Sequence, residues 1–237
     1  MHGNLSADAL DIESLEQGLF ALYPLLRAME ETDATLALHS NRVAALAAEL
    51  AFAAGLPKLD VRRVYLGAMV HDVGKLAMNG EVLQKPGRLT QSEYTEIQRH
   101  PRIGARLLAS DPLQNVYADI VLHHHERLDG SGYPEGLRAS EIHFPVRIVS
   151  IADAFDAMTS NRAYRHALSV SEAVHELRAG AGTQFDVSLV TLFERCLHTL
   201  NLTSCDFTSG AVPQSLRLST QSLSLAIVSE GRSRFHQ

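Results

Sequence analysis

The sequence predicts an all-α protein, a single helical bundle of about seven to nine helices. Three observations carry this. Apolar residues return at helical spacing through most of the chain. Ser, Thr and Asp, several with a Glu three positions on, mark helix starts, while Gly and Pro mark stops. Several apolar stripes carry a His or Asp where a core residue is expected.

The elements follow in order. The spacing predicts a first helix from Leu15 to about Ala28 and a second from about Thr35 to Ala54, with Val43, Leu46 and Leu50 on one stripe. Gly55 and Pro57 stop the second. A third runs from about Leu59 to Leu76. Thr90 with Glu93 is a capping box whose helix must break before Pro101, and Pro101 opens the next, to about Ala109. Leu113 to Glu126 is the next helical stretch, and LDGSGYPEGL (Leu128 to Leu137) is a loop. Pro145 begins a helix to about Ser160, Ser169 with Glu172 caps another, and Asp186 caps the last, to about Leu200. The expected organisation is a leader over residues 1–14, one domain over 15–202 and a mobile tail rich in Ser and Thr over 203–237.

Composition narrows the function classes. The 237 residues are 46% apolar and 20% charged, as in ordinary globular proteins. No apolar run approaches the ~18 residues of a membrane span, so no membrane insertion is expected. The acidic N-terminus lacks the layout of a signal peptide. Cys196 and Cys205 form no CxxC pair and no disulfide framework, which points to the cytoplasm. A net charge of −6 argues against DNA or RNA as partner, but not against a small anion held in a locally positive pocket.

The 12 histidines hold the chemical information. His39 lies on the stripe of Val43, Leu46 and Leu50; His71 and Asp72 extend that of Val61, Val64 and Ala68. Asp153 continues Val146 and Val149, with Asp156 one turn later. A buried carboxylate is costly unless paired or metal-bound, so groups from several helices are expected to converge. His143, His166, His175 and His198 read instead as hydrogen-bonded core residues. Imidazole and carboxylate together make sites for divalent iron, manganese, zinc or nickel. Successive helical residues diverge by ~100°, so the adjacent pairs His71-Asp72 and His124-His125 favour a dinuclear centre over one ion. GAMVHDVGK is not a P-loop, HERLD is not the HExxH of a metalloprotease, and no GxSxG is present.

HDVGK (His71 to Lys75), KPGRLT (Lys85 to Thr90), HPRIG (His100 to Gly104), HHERLDGSGYP (His124 to Pro134) and RIVSIADAFDAMTSNRAYR (Arg147 to Arg165) resemble the successive signatures of HD-GYP domains. These are the branch of the HD metal-dependent phosphohydrolases associated with bacterial cyclic di-GMP. The resemblance covers about residues 36–190 and implies an HD-domain bundle with a metal site in its core.

It implies as metal ligands His39, His71, Asp72, His100, His124, His125 and Asp153, with Asp72 bridging and also catalytic. Lys75 would meet a substrate phosphate, Arg162 and Arg165 would be basic contacts to the dinucleotide, and Asp156 would contact guanine or orient a ligand. Gly132, Tyr133 and Pro134 form the loop that names the family, either a rigid turn propping His124 and His125 or a substrate or partner contact. Some members hold a third metal with a Glu one turn before the first histidine. Here that position is Thr35, with Asp33 and Glu31 further back, so two metals are expected, iron or manganese first and zinc, nickel or cobalt as substitutes.

The implied activity is hydrolysis of cyclic di-GMP to linear pGpG, with GMP after a second cut. Competing readings are a cyclic di-GMP receptor or scaffold, an HD phosphohydrolase for another nucleotide, and dioxygen chemistry at a di-iron centre. A second copy of the chain or a signalling protein are candidate partners.

Overall fold

The computed structural model describes residues 7–110, 112–115, 117–161 and 166–200. Arg162, Arg165 and the tail over 203–237 lie outside the described residues, as does the start of the expected leader. Among the described residues the chain is helical, without strands: α1 (Ala7–Thr32), α2 (Ala34–Ala53), α3 (Lys58–Val70), α4 (Gly80–Leu83), α5 (Gln91–Ile97), α6 (His100–Leu108), α7 (Pro112–Asn115), α8 (Ala118–His123), α9 (Phe144–Thr159), α10 (Val170–Ala179) and α11 (Val187–Thr199). Two 3-10 turns, Val73–Ala77 and Ala139–Glu141, join them. The expected all-α bundle is what forms.

Capping residues start these helices where the sequence places them. Asp33 caps α2 by accepting from the Thr35 and Leu36 amides. Thr90–Glu93 and Ser169–Glu172 are complete capping boxes, and Asp186 caps α11. Pro sits in the first turn of α6 and of α9.

α2 is the central strut, packed by α1, α3, α9 and α11. Its buried face carries Ala44, Ala45, Ala47, Ala48 and Ala51 beside Val43, Leu46 and Leu50. Short side chains let α3 and α9 approach closely, so ligands carried on three elements come within reach of one another. Phe155 of α9 meets Phe193 of α11 edge-on at 5.2 Å between centroids, closing the far side of the core. Each fully buried Val, Leu or Phe contributes about 1.5–3 kcal/mol.

Four expectations change. The first helix begins at Ala7 rather than Leu15, because ADALDIES contains helix formers and no breaker. The stretch from Leu113 to Glu126 is two short helices, α7 and α8, rather than one. The helix expected over Leu59 to Leu76 stops at Val70. Asp72 takes φ −98° and ψ 8°, and the chain continues as a 3-10 turn. Gly74 in that turn lies against α6: a Cβ there would stand 2.0 Å from the His100 carbonyl oxygen and 2.7 Å from the Gly104 nitrogen. Lastly, His143, His166, His175 and His198 are exposed rather than core residues.

Candidate metal centre

The seven residues expected to bind metal come together, in two groups. Asp72, His100, His124 and His125 offer ligand atoms all within 4.8 Å of one another, and so do His39, His71 and Asp153. His39 comes from α2, His71 and Asp72 from the break after α3, His100 from the first residue of α6. His124 and His125 follow α8, and Asp153 lies on α9.

Asp72 stands between the groups. Its Oδ1 is 3.1 Å from His100 Nε2 and 3.9 Å from His124 Nε2. Its Oδ2 is 3.3 Å from His71 Nε2 and 3.7 Å from His39 Nε2. His71 keeps helical φ −53° and ψ −35°, and the chain leaves helical geometry at Asp72, directly before the 3-10 turn.

The imidazoles are aimed from behind. His71 Nδ1 lies 2.6 Å from the Ala68 carbonyl, His100 Nδ1 2.8 Å from that of Ile97, and His124 Nδ1 2.9 Å from that of Val121. A carbonyl only accepts, so Nδ1 carries the proton and each neutral ring presents the Nε2 lone pair to the interior. Burial holds His124 well below the ordinary imidazole value, and brings His125 down to about 4. Neutral rings are the form that binds metal.

Burial alone would raise the Asp72 carboxyl, but its neighbours, with the Lys75 ammonium first among them, hold it well below the usual range. Burial would likewise raise Asp153, yet the bond from His39 and the nearby imidazoles depress it. For His39 burial is outweighed by its bonds to Asp153 and Asp156, which raise it to about 9. His71 Nε2 and Asp72 Oδ1 are buried and find no hydrogen-bond partner among the described residues. Orphaned acceptors in a nest of imidazoles and ionised carboxylates fit divalent cations.

The surrounding residues divide by burial. Lys75 Nζ donates to Asp72 Oδ2 at 2.5 Å and is partly exposed. Asp156, expected to contact guanine or orient a ligand, is fully buried, and its oxygens meet Arg42 and His39. The candidates for a third ion face elsewhere. Asp33 Oδ1 caps α2 and accepts the Thr35 hydroxyl at 2.6 Å, and Glu31 is exposed with Arg27.

The Gly132-Tyr133-Pro134 loop folds against the ligands. A Cβ on Gly132 would stand 2.5 Å from the Arg127 nitrogen and 2.6 Å from the His125 oxygen, so only Gly fits. The Tyr133 ring lies 4.8 Å from the His125 ring, and Arg102 donates to the Pro134 carbonyl at 3.0 Å. Buried Glu126 gathers the far side of the loop, accepting from the amides of Glu135, Gly136 and Leu137 at 2.6, 3.1 and 3.0 Å. A cleft of about 470 Å³ opens beside the centre, lined by His125, Asp153, Tyr94, Gln98, Tyr133 and Gln184.

Sequence reading missed Arg42 and Glu126. Each left a trace: a charge on the buried stripe of α2, and an acid directly before a loop whose amides need acceptors.

Fold and site together define an all-α domain built around a candidate binuclear metal centre. The chain belongs to the HD domain family, matched over residues 23–189, in its HD-GYP branch. It is similar to the "Cyclic di-GMP phosphodiesterase response regulator RpfG" of Xanthomonas campestris pv. campestris, 41% identical over 187 residues, covering 73% of this chain and 50% of that protein. It is also 44% identical over 140 residues to the "3'3'-cGAMP-specific phosphodiesterase 1" of Vibrio cholerae, covering 59% of this chain and 32% of that protein. This chain therefore spans half or less of the length of these two relatives. Among solved structures, the HD-GYP-type protein Bd1817 of Bdellovibrio bacteriovorus shares the fold at a TM-score of 0.56 and 21% identity, over 69% of this chain and 52% of that one.

Proposed function

We propose that this chain hydrolyses a phosphodiester bond of cyclic di-GMP, giving linear pGpG first and GMP after a second cut. The observation that carries the reading is Asp72, with one oxygen turned to each ligand group, behind a cleft of about 470 Å³ that His124, His125 and Asp153 line. A volume in that range suits a small-molecule ligand. The relative named as a cyclic di-GMP phosphodiesterase supports the choice of substrate.

His39, His71 and Asp153 would hold one divalent ion and His100, His124 and His125 the other, with Asp72 shared. Iron or manganese suits the histidine-rich mixed donor set, and the pair would supply Lewis acidity and an activated water for in-line attack on phosphorus. Lys75, whose ammonium lies 2.5 Å from Asp72 Oδ2, would turn it to a phosphate oxygen, where preset positive charge stabilises the transition state. Tyr94, Tyr133, Gln98 and Gln184 line the cleft and would be the contacts nearest to hand for the bases. Arg162 and Arg165 are proposed as further phosphate or base contacts on the strength of the motif alone. No helix among the described residues is long and apolar enough to cross a membrane.

Anaerobic metal analysis followed by product chromatography with cyclic di-GMP tests the reading. Two metals per chain and pGpG are expected; tight cyclic di-GMP binding without product would make the chain a receptor. The 44% match to a cGAMP-specific enzyme favours one second reading, 3′3′-cGAMP as the preferred substrate, which a substrate panel decides.

A further inference from the structure

We propose that Arg42 is a positioning residue of the metal centre, acting through Asp156 to keep His39 Nε2 turned toward Asp153 and Asp72. The inference rests on the binuclear reading above and concerns a residue outside every motif.

His71, His100 and His124 each anchor Nδ1 on a backbone carbonyl three residues earlier in the same segment. Their aim is set locally. His39 is different: its Nδ1 lies 2.7 Å from Asp156 Oδ2, a side chain carried on another helix. A side-chain anchor can rotate, so it needs an anchor of its own. Arg42 supplies it, with Nε donating to Asp156 Oδ1 at 2.6 Å and NH2 to Oδ2 at 2.9 Å. This two-pronged grip fixes the plane of the carboxylate as well as its position. The same NH2 donates to Ser160 at 3.0 Å, holding the guanidinium to the end of α9.

The geometry also selects which nitrogen an ion takes when it displaces a proton from the ring. Asp156 held as a carboxylate only accepts, so His39 Nδ1 must donate, and Nε2 is the nitrogen left for an ion. Nε2 stands 3.2 Å from Asp153 Oδ1. The Arg42 side chain is only 6% exposed and that of Asp156 not at all. Burying such a pair is expensive and a poor route to stability alone, which makes a task at the neighbouring ligand the better account of it.

Manganese titration of the metal-stripped full chain, read by electron paramagnetic resonance, tests the assignment. Wild-type protein is expected to take up two tight equivalents. Arg42→Met is expected to keep one and to bind the other about 10–100-fold more weakly. Arg42→Lys, which keeps the charge but loses the fork, should fall between them and guards against a misfolded first variant. The double variant Arg42→Met/Asp156→Asn should bind no worse than Asp156→Asn, because both act along one path. Two ions held by Arg42→Met as tightly as by wild type overturn the assignment. So does parallel loss of both equivalents with the unfolding midpoint, which marks a purely structural tie, or additivity in the double variant. Wild-type protein that takes up fewer than two ions overturns the binuclear reading and this assignment with it.

Discussion

His100 and His124 face one another through Nε2 atoms 3.3 Å apart, although each commits Nδ1 to a backbone carbonyl. Two neutral rings so arranged oppose lone pair to lone pair, with Asp72 Oδ1 beside them. A cation between these atoms turns mutual repulsion into shared coordination. Divalent ions are therefore expected to stabilise the fold strongly. At an ion concentration one hundred times Kd the gain per independent site is about 2.7 kcal/mol. Thermal unfolding with and without chelator measures it, and an unchanged midpoint would sink the metal assignment.

Asp72 and Lys75 are expected to separate metal binding from turnover. Asp72→Ala should lose both ions and all hydrolysis. Lys75→Ala should keep both ions and lose about 100-fold or more in kcat, the scale of removing one preset charge partner. Metal content and steady-state kinetics on the two variants check this; an Asp72→Ala protein with full activity contradicts it.

Close backbone approach makes two glycines irreplaceable. Gly74→Ala drives a Cβ into the His100 carbonyl, and Gly132→Ala drives one into the backbone at Arg127 and His125. Each should cost about 1–3 kcal/mol by overpacking, measured by denaturant unfolding. Gly74→Ala should in addition weaken metal uptake, since it moves the start of α6 away from Asp72.

Acid should reveal how α5 is held at the cleft. Lys85, with the Thr90 amide and hydroxyl, draws the Glu93 carboxyl down to about 2. A depressed carboxyl stabilises the fold above its unfolded value, ordinarily 4.5, and that contribution is lost as pH falls toward 2. The stability gap between wild type and Glu93→Gln should therefore be constant near neutrality and close between these values. A gap that persists at pH 2 would contradict the assignment.

The helical class and most helix starts were legible because caps and periodicity are local signals: Thr90, Ser169 and Asp186 each cap the helix expected of them, while the Asp33 cap of α2 was not read from the sequence. The convergence of His39, His71, Asp72 and Asp153 was legible because polar groups on apolar stripes must meet something. The break after Val70 was not, since VHDVGKL continues a helical pattern and only the contact of Gly74 with α6 interrupts it. Arg42 escaped notice for a similar reason. Its role depends on Asp156 from a distant helix, and a charge on the apolar stripe of α2 does not by itself name its partner.

The anchoring of His71, His100 and His124 on carbonyls three residues earlier in the chain has a consequence for metal loading. Each ring takes its direction from the turn directly before it, with or without an ion. Loading is then entry into a finished receptacle rather than a folding event, and deleting one donor leaves the others still pointing inward. A single substitution at a residue outside the donor set can therefore alter what the centre does and leave the receptacle in place.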